Sequence, residues 1–122
     1  MILRGVIRDR DPLVKATIRA GMLRLGARRG LPVVVDTGFN GSRSLPRSLL
    51  RRLRVRREGF QLFRLADGST VRLAVYSGSV YLRGRRVPAW FVSGEALLGM
   101  EFLCSVASTL TLHFRKGTLS LS

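Results

Sequence analysis

Three consecutive valines, Val33 to Val35, run directly into Asp36-Thr37-Gly38. A run of β-branched residues of this kind reads as a strand buried on both faces, so the chain must cover that strand with sheet or helix on each side. The strand, Val33 to Asp36, delivers a carboxylate into a turn. Thr37 adds a hydroxyl, and Gly38 and Gly41 permit backbone shapes that a side chain would forbid. An ionised carboxylate at the end of an apolar strand costs desolvation free energy unless it is hydrogen-bonded or has chemistry to do. The rest of the chain is therefore read for a partner to Asp36.

The flanking segments alternate with period two and are punctuated by turn residues. Residues 1–9 begin with a short strand. Asp9-Arg-Asp-Pro12 is a turn signal, and Leu13 to Ile18 reads as the returning arm of a hairpin. Met22 to Leu25, bracketed by Gly21 and Gly26, is a third short strand. Arg43 to Leu45 is extended because Pro46 disfavours helix in the residue before it. Pro46 then opens a short amphipathic helix to about Leu53, with Leu49, Leu50 and Leu53 on one face. Phe60 to Leu65 and Val71 to Val75 are strands joined by a tip at Ala66-Asp67-Gly68-Ser69, since Asp-Gly is a strong hairpin signal. Beyond Ser77-Gly78 the apolar phase moves to Val80 and Leu82, which predicts a bulge or bend. Arg83-Gly84-Arg85-Arg86 is a tight turn, and Val87 to Val92 the strand that returns from it. Ser93 to Glu95 is a loop, and Ala96-Leu97-Leu98-Gly99 is a second buried apolar strand ending at glycine. Met100 to Ala107 fits a short helix, and Thr109–Phe114 with Thr118–Leu121 a last hairpin. The sum is one mostly-β domain over residues 1–122 with one or two short helices.

Scarcity of reactive side chains narrows the chemistry. The chain has one cysteine and one histidine. A lone Cys104 makes neither an intrachain disulfide nor a thiolate zinc cluster, and its apolar neighbours predict a buried small hydrophobe. His113 falls on the alternating face of Thr109 and Thr111 and reads as a strand-surface residue rather than a general base. No apolar run approaches the roughly 20 residues of a membrane span. The N-terminal segment lacks a signal-peptide pattern, so the expected location is the cytoplasm. The net charge of +15 rests on 22 basic residues, of which only Lys15 and Lys116 are lysines. Such charge suits nucleic acid or another polyanion. However, the arginines are spread along the chain, and no aromatic residue interleaves with the densest cluster, Arg51 to Arg57, so a solvated basic surface accounts for them as well. Only seven acids exist: Asp9, Asp11, Asp36, Glu58, Asp67, Glu95 and Glu101. A mechanism needing two carboxylates must draw on these, or on two copies of one.

Each half of the chain runs hairpin, strand, apolar strand ending in glycine, helix, a weak internal duplication that pairs Val33–Gly38 with Ala96–Gly99. Asp36-Thr-Gly38, the Gly41…Leu45-Pro46 continuation, the Ala66-Asp-Gly-Ser69 tip and Ala96-Leu-Leu-Gly-Met-Glu-Phe-Leu103 together resemble the retroviral-type aspartic proteases. The closer likeness is to their bacterial single-domain relatives, with which a Phe39-Asn-Gly41 continuation is associated. The resemblance implies a retropepsin-like closed β-barrel as a single-lobe subunit. It implies an endopeptidase without metal or cofactor, in which Asp36 faces Asp36 of a second copy across a homodimer axis. Thr37, Gly38, Leu97, Leu98 and Gly99 would then support the catalytic loop. Leu65, Ala66, Asp67, Gly68 and Ser69 would form a flap over an extended peptide or unfolded protein substrate. The alternative is a catalytically silent module of the same fold that binds peptide, or a polyanion such as nucleic acid, through its basic surface.

Overall fold

The computed structural model describes residues 2–122 and contains eleven strands and two short helices. Its first three strands, β1 (Leu3–Arg8), β2 (Asp11–Arg19) and β3 (Met22–Leu25), are joined by two-residue loops. Asp9 and Arg10, then Ala20 and Gly21, all take positive φ in those loops. Paired left-handed residues match the twist of the strands they connect, which is why such short loops close hairpins. Pro12 lies inside β2, opposite Ile7, rather than in the turn. After β4 (Leu31–Val35) come β5 (Arg43–Leu45) and α1 (Arg47–Leu50). The second half has a similar order but one strand fewer, since its fourth strand leads directly into its helix with no counterpart of β5. It runs β6 (Arg56–Arg64), β7 (Thr70–Leu82), β8 (Arg85–Ser93), β9 (Leu97–Leu98) and α2 (Met100–Val106), before the closing pair β10 (Leu110–His113) and β11 (Thr118–Leu121).

The strands pair in the path β2-β3-β7-β8-β5-β9-β4, and β4 then pairs β2, so the circuit of hydrogen bonds returns to its start. From β2 a branch leads outward through β1 and β11 to β10, and β6 extends the sheet beyond β7. The two halves meet through parallel pairings. These are β3 with β7, β5 with β8, and β4 with β9 in the register Val34↔Leu97 and Val35↔Leu98. β9 also pairs antiparallel with β5, so the two-residue strand is wedged between the strands before and after the Asp36 turn.

One cluster of buried apolar side chains fills the interior, with Val14, Leu23, Val33, Val80, Phe91 and Leu98 fully enclosed. Val33 and Val35 point into it, whereas Val34 is only half-buried, so the valine strand is covered completely on one face and partly on the other. α1 is shorter than its leucine pattern predicts. Beyond Leu50 the chain tightens, with the amides of Arg52 and Leu53 donating to the carbonyls of Leu49 and Leu50, three residues back. The phase change in β7 is present, since Val75 and Val80 are both buried, yet β7 pairs β8 without interruption. The irregularity lies in the neighbouring strand, where Glu58 is the extra residue between Arg57↔Tyr76 and Gly59↔Val75. Gly78 meets a different need: a Cβ there would stand 2.9 Å from Val55 Cγ1 and 3.2 Å from Phe91 Cε2.

Cys104 is exposed, contrary to the apolar context of its sequence. At about 100° per residue, Phe102, Leu103 and Val106 form the inward stripe of α2, and Cys104 turns outward with Ser105. His113 is exposed on β10 beside Thr111, as its alternation predicts. No helix among the described residues is long and apolar enough to cross a membrane.

Candidate functional site

The Asp36 turn is held from beneath by backbone alone. The Asp36 amide donates to the Leu98 carbonyl at 2.9 Å, and the Phe39 amide closes the turn on the Asp36 carbonyl at 3.2 Å. Gly99 then lies directly under the turn. Its amide donates to Ser42 O at 2.9 Å, while the Met100 amide donates to Phe39 O at 2.7 Å. A Cβ on Gly99 would fall 2.0 Å from Gly41 O and 2.7 Å from Phe39 O, so two backbones cross here at a separation that only glycine allows. Gly41 is constrained similarly, because the Phe39 ring occupies the space a Cβ would take. Leu98 is fully buried behind the turn and Leu97 is half-buried.

The side chain of Asp36 is half-buried, and its Oδ1 accepts the Gly38 amide at 2.9 Å. This satisfies one lone pair of one oxygen and leaves the other oxygen for a ligand or a second carboxylate. Thr37 and Gly38 are exposed. From Gly38 onward the chain forms the floor of a groove of about 650 Å³, walled by Val71, Leu73 and Val75 of β7, Trp90 of β8 and Leu97 of β9. Asp36 stands two residues before the first groove-lining position. Trp90 is 47% exposed, and it turns to the groove because Ala89 and Phe91 on either side point into the core.

The β6–β7 hairpin overhangs this groove. Strand alternation and register put Gln61, Phe63, Val71, Leu73 and Val75 on one of its faces, and Phe60, Leu62, Arg72, Ala74 and Tyr76 on the other. Its tip spans Leu65–Ser69. The Leu65 amide donates to Ser69 O at 2.8 Å, and Gly68 takes a positive φ. Asp67 Oδ1 accepts both the amide and the hydroxyl of Ser69, at 2.9 and 2.5 Å. These bonds to Ser69 hold the Asp67 carboxyl below its ordinary range, and they make Asp67 a turn former. Leu65 lines the groove, while Ala66, Asp67, Gly68 and Ser69 project beyond it. The residues singled out from sequence therefore fall into two groups. Asp36 to Gly38 and Leu97 to Gly99 are joined in one hydrogen-bonded unit, and Leu65 to Ser69 form a separate overhanging tip.

Sequence reasoning missed Arg43. Its residue is 1% exposed, and its guanidinium lies 3.7 Å from the centroid of Phe102 and 5.7 Å from that of Phe91. None of its three nitrogens has a hydrogen-bond partner among the described residues, and burial pulls its pKa down to about 9. Nothing in Ser42-Arg43-Ser44 signals this. Arg43 is buried because β5 lies between β8 and β9, which encloses even its polar positions. Phe39 and Trp90 also line the groove. Trp90 was findable from the alternation of its strand, Phe39 only from the crossing at Gly99.

No protein-family model matches this chain, and comparison with curated proteins and with solved structures likewise gave no match.

Proposed function

We propose that the chain is an aspartic endopeptidase with a retropepsin-like closed β-barrel subunit, active as a homodimer that brings two Asp36 carboxylates together. One observation carries the reading. A two-residue strand leading into Gly99 is threaded between β4 and β5, and it fixes a turn that carries a half-buried carboxylate, Asp36, two residues before the chain enters a groove overhung by a β-hairpin. The closed circuit of strand pairings supports the barrel. Of the seven acids of the chain, Glu58 and Glu101 line the groove, but Glu58 accepts the Ser77 hydroxyl at 2.6 Å and faces Arg56 at 3.8 Å. Glu101, in the first turn of α2, is exposed. A second copy of Asp36 is thus the best-suited partner.

Two close carboxylates cannot both ionise cheaply, so they share a proton and titrate as a pair. The ionised one takes a proton from a bound water, which attacks the peptide carbonyl. The protonated one donates to the carbonyl oxygen, and proton transfer to the nitrogen then releases the amine. In the proposed dimer Gly38 keeps the backbone low beside the substrate, and Thr37 hydrogen-bonds across the axis, as the resemblance implies. The β6–β7 hairpin pairs with the extended substrate backbone and closes over it. β11 already has β1 and β10 as neighbours in its own chain, so dimerisation at the Asp36 turn does not require exchange of the C-terminal strand.

Asp36→Asn tests the proposal. The variant is expected to lose cleavage of unfolded protein substrates while keeping its circular dichroism spectrum and sedimentation as a dimer. Adding it in excess to the unsubstituted chain should titrate activity away as mixed dimers form. Persistent cleavage by the variant would overturn the assignment.

A further inference from the structure

On the outer face of the β6–β7 hairpin lies a second concavity, of about 620 Å³, between that face and α1. Arg47 and Arg51 enter from the helix side, and Arg57 and Arg72 from the hairpin. All four are exposed, no acidic side chain lines the cleft, and none of the four has an ion-pair partner among the described residues. Phe60, 50% exposed, joins the two hairpin arginines. The Arg57 and Arg72 guanidinia stand 4.6 and 4.3 Å from its ring centroid. The pairing Phe60↔Ala74, with Arg72 two residues away on the same face, is what creates this cluster across strands. In sequence the arginine run from Arg51 to Arg57 has no aromatic neighbour; the hairpin supplies one.

We infer that this cleft binds single-stranded nucleic acid through its phosphates, separately from the groove beside Asp36. Four unneutralised guanidinia around a hollow form a local field that attracts a polyanion and repels basic partners. Guanidinium geometry matches phosphate oxygens bidentately. A positively charged groove with an aromatic side chain at its wall is the usual arrangement for tracking a single strand. The concavity favours a flexible strand that can enter it over a duplex, whose rigid convex surface bridges the rim. Phe60 and Leu73 line both hollows, so the two sites share the hairpin as a common wall.

The test is fluorescence anisotropy with a labelled oligothymidylate at several salt concentrations. With four phosphates neutralised, log K should fall with log salt at a slope of about −3, taking about −0.7 per phosphate on a single strand. Arg57→Gln/Arg72→Gln should reduce the steepness by about 1.4 and weaken binding at least tenfold at moderate salt. Arg47→Gln/Arg51→Gln, on the other wall, should do the same. Arg10→Gln/Arg115→Gln removes equal charge from two turns outside the cleft and should leave binding within about twofold. Equal weakening by that control pair would overturn the inference, since net charge alone would then explain binding. So would equal or tighter binding of a duplex of the same length, or of inorganic polyphosphate, or an absence of oligothymidylate binding at low salt.

Discussion

Replacing Arg43 by methionine should stabilise this protein. A guanidinium whose pKa is pulled down to about 9 by burial has its charged form raised by about 5 kcal/mol. Stacking over Phe102 at 3.7 Å, with Phe91 farther off at 5.7 Å, returns about 2 kcal/mol in a desolvated setting. No hydrogen bond to Nε, Nη1 or Nη2 offsets the remainder. Methionine keeps an unbranched stem and a polarisable atom against the same rings and removes the charge. The expected gain is about 1–3 kcal/mol, within the range seen when buried charges give way to apolar residues. In urea this appears as a midpoint higher by about 1 M at unchanged slope. The pH dependence provides an internal check. A base with a depressed folded pKa binds fewer protons folded than unfolded from about pH 9 up to its higher unfolded pKa, so native stability rises with pH there. The penalty is complete below about pH 9, and the advantage of Arg43→Met should be full at about pH 8 and smaller at about pH 10. Destabilisation by Arg43→Met, or an advantage indifferent to pH over that interval, would refute the argument and mean that the guanidinium is paired in solution.

Gly99→Ala should be among the most damaging single changes. Its Cβ would meet Gly41 O at 2.0 Å, so a loss of about 3 kcal/mol or more is expected in urea unfolding, with the proposed peptidase activity lost as the Asp36 turn shifts. Asp67→Ala removes the bonds to Ser69 and should speed amide exchange at Gly68 and Ser69 without altering exchange in β2. Because the folded carboxyl titrates below its ordinary value, the hairpin tip in the unsubstituted protein should keep its protection above about pH 4 and lose it as pH falls further. Cys104 should react completely with a thiol reagent in the native protein at a rate that denaturant barely raises, as its exposure requires. Slow modification that tracked global unfolding would show it enclosed instead.

Much of the architecture was written locally. Val33 to Val35, the Asp-Gly tip at Asp67 and Gly68, and the Arg83-Gly84 turn each specify their conformation through β-branching or positive φ, which depend on a few neighbouring residues. The carboxylate at the strand end and the glycine-terminated Leu97–Gly99 segment were equally visible. What such signals cannot carry is which strands become neighbours, because pairing across the chain depends on long-range packing. Only the tertiary structure wedged Leu97 and Leu98 between β4 and β5, which turned Gly99 from an ordinary glycine into the floor of the Asp36 turn. The same enclosure buried Arg43, which nothing in its sequence context signals. Pairing of β6 with β7 placed Phe60 between Arg57 and Arg72, and the helical phase of α2 turned Cys104 outward. The sequence by itself determined a mostly-β chain with one conspicuous carboxylate. The closed circuit of strands decided what surrounds that carboxylate, since burial is a property of neighbours brought together in space and not of the residue that is buried.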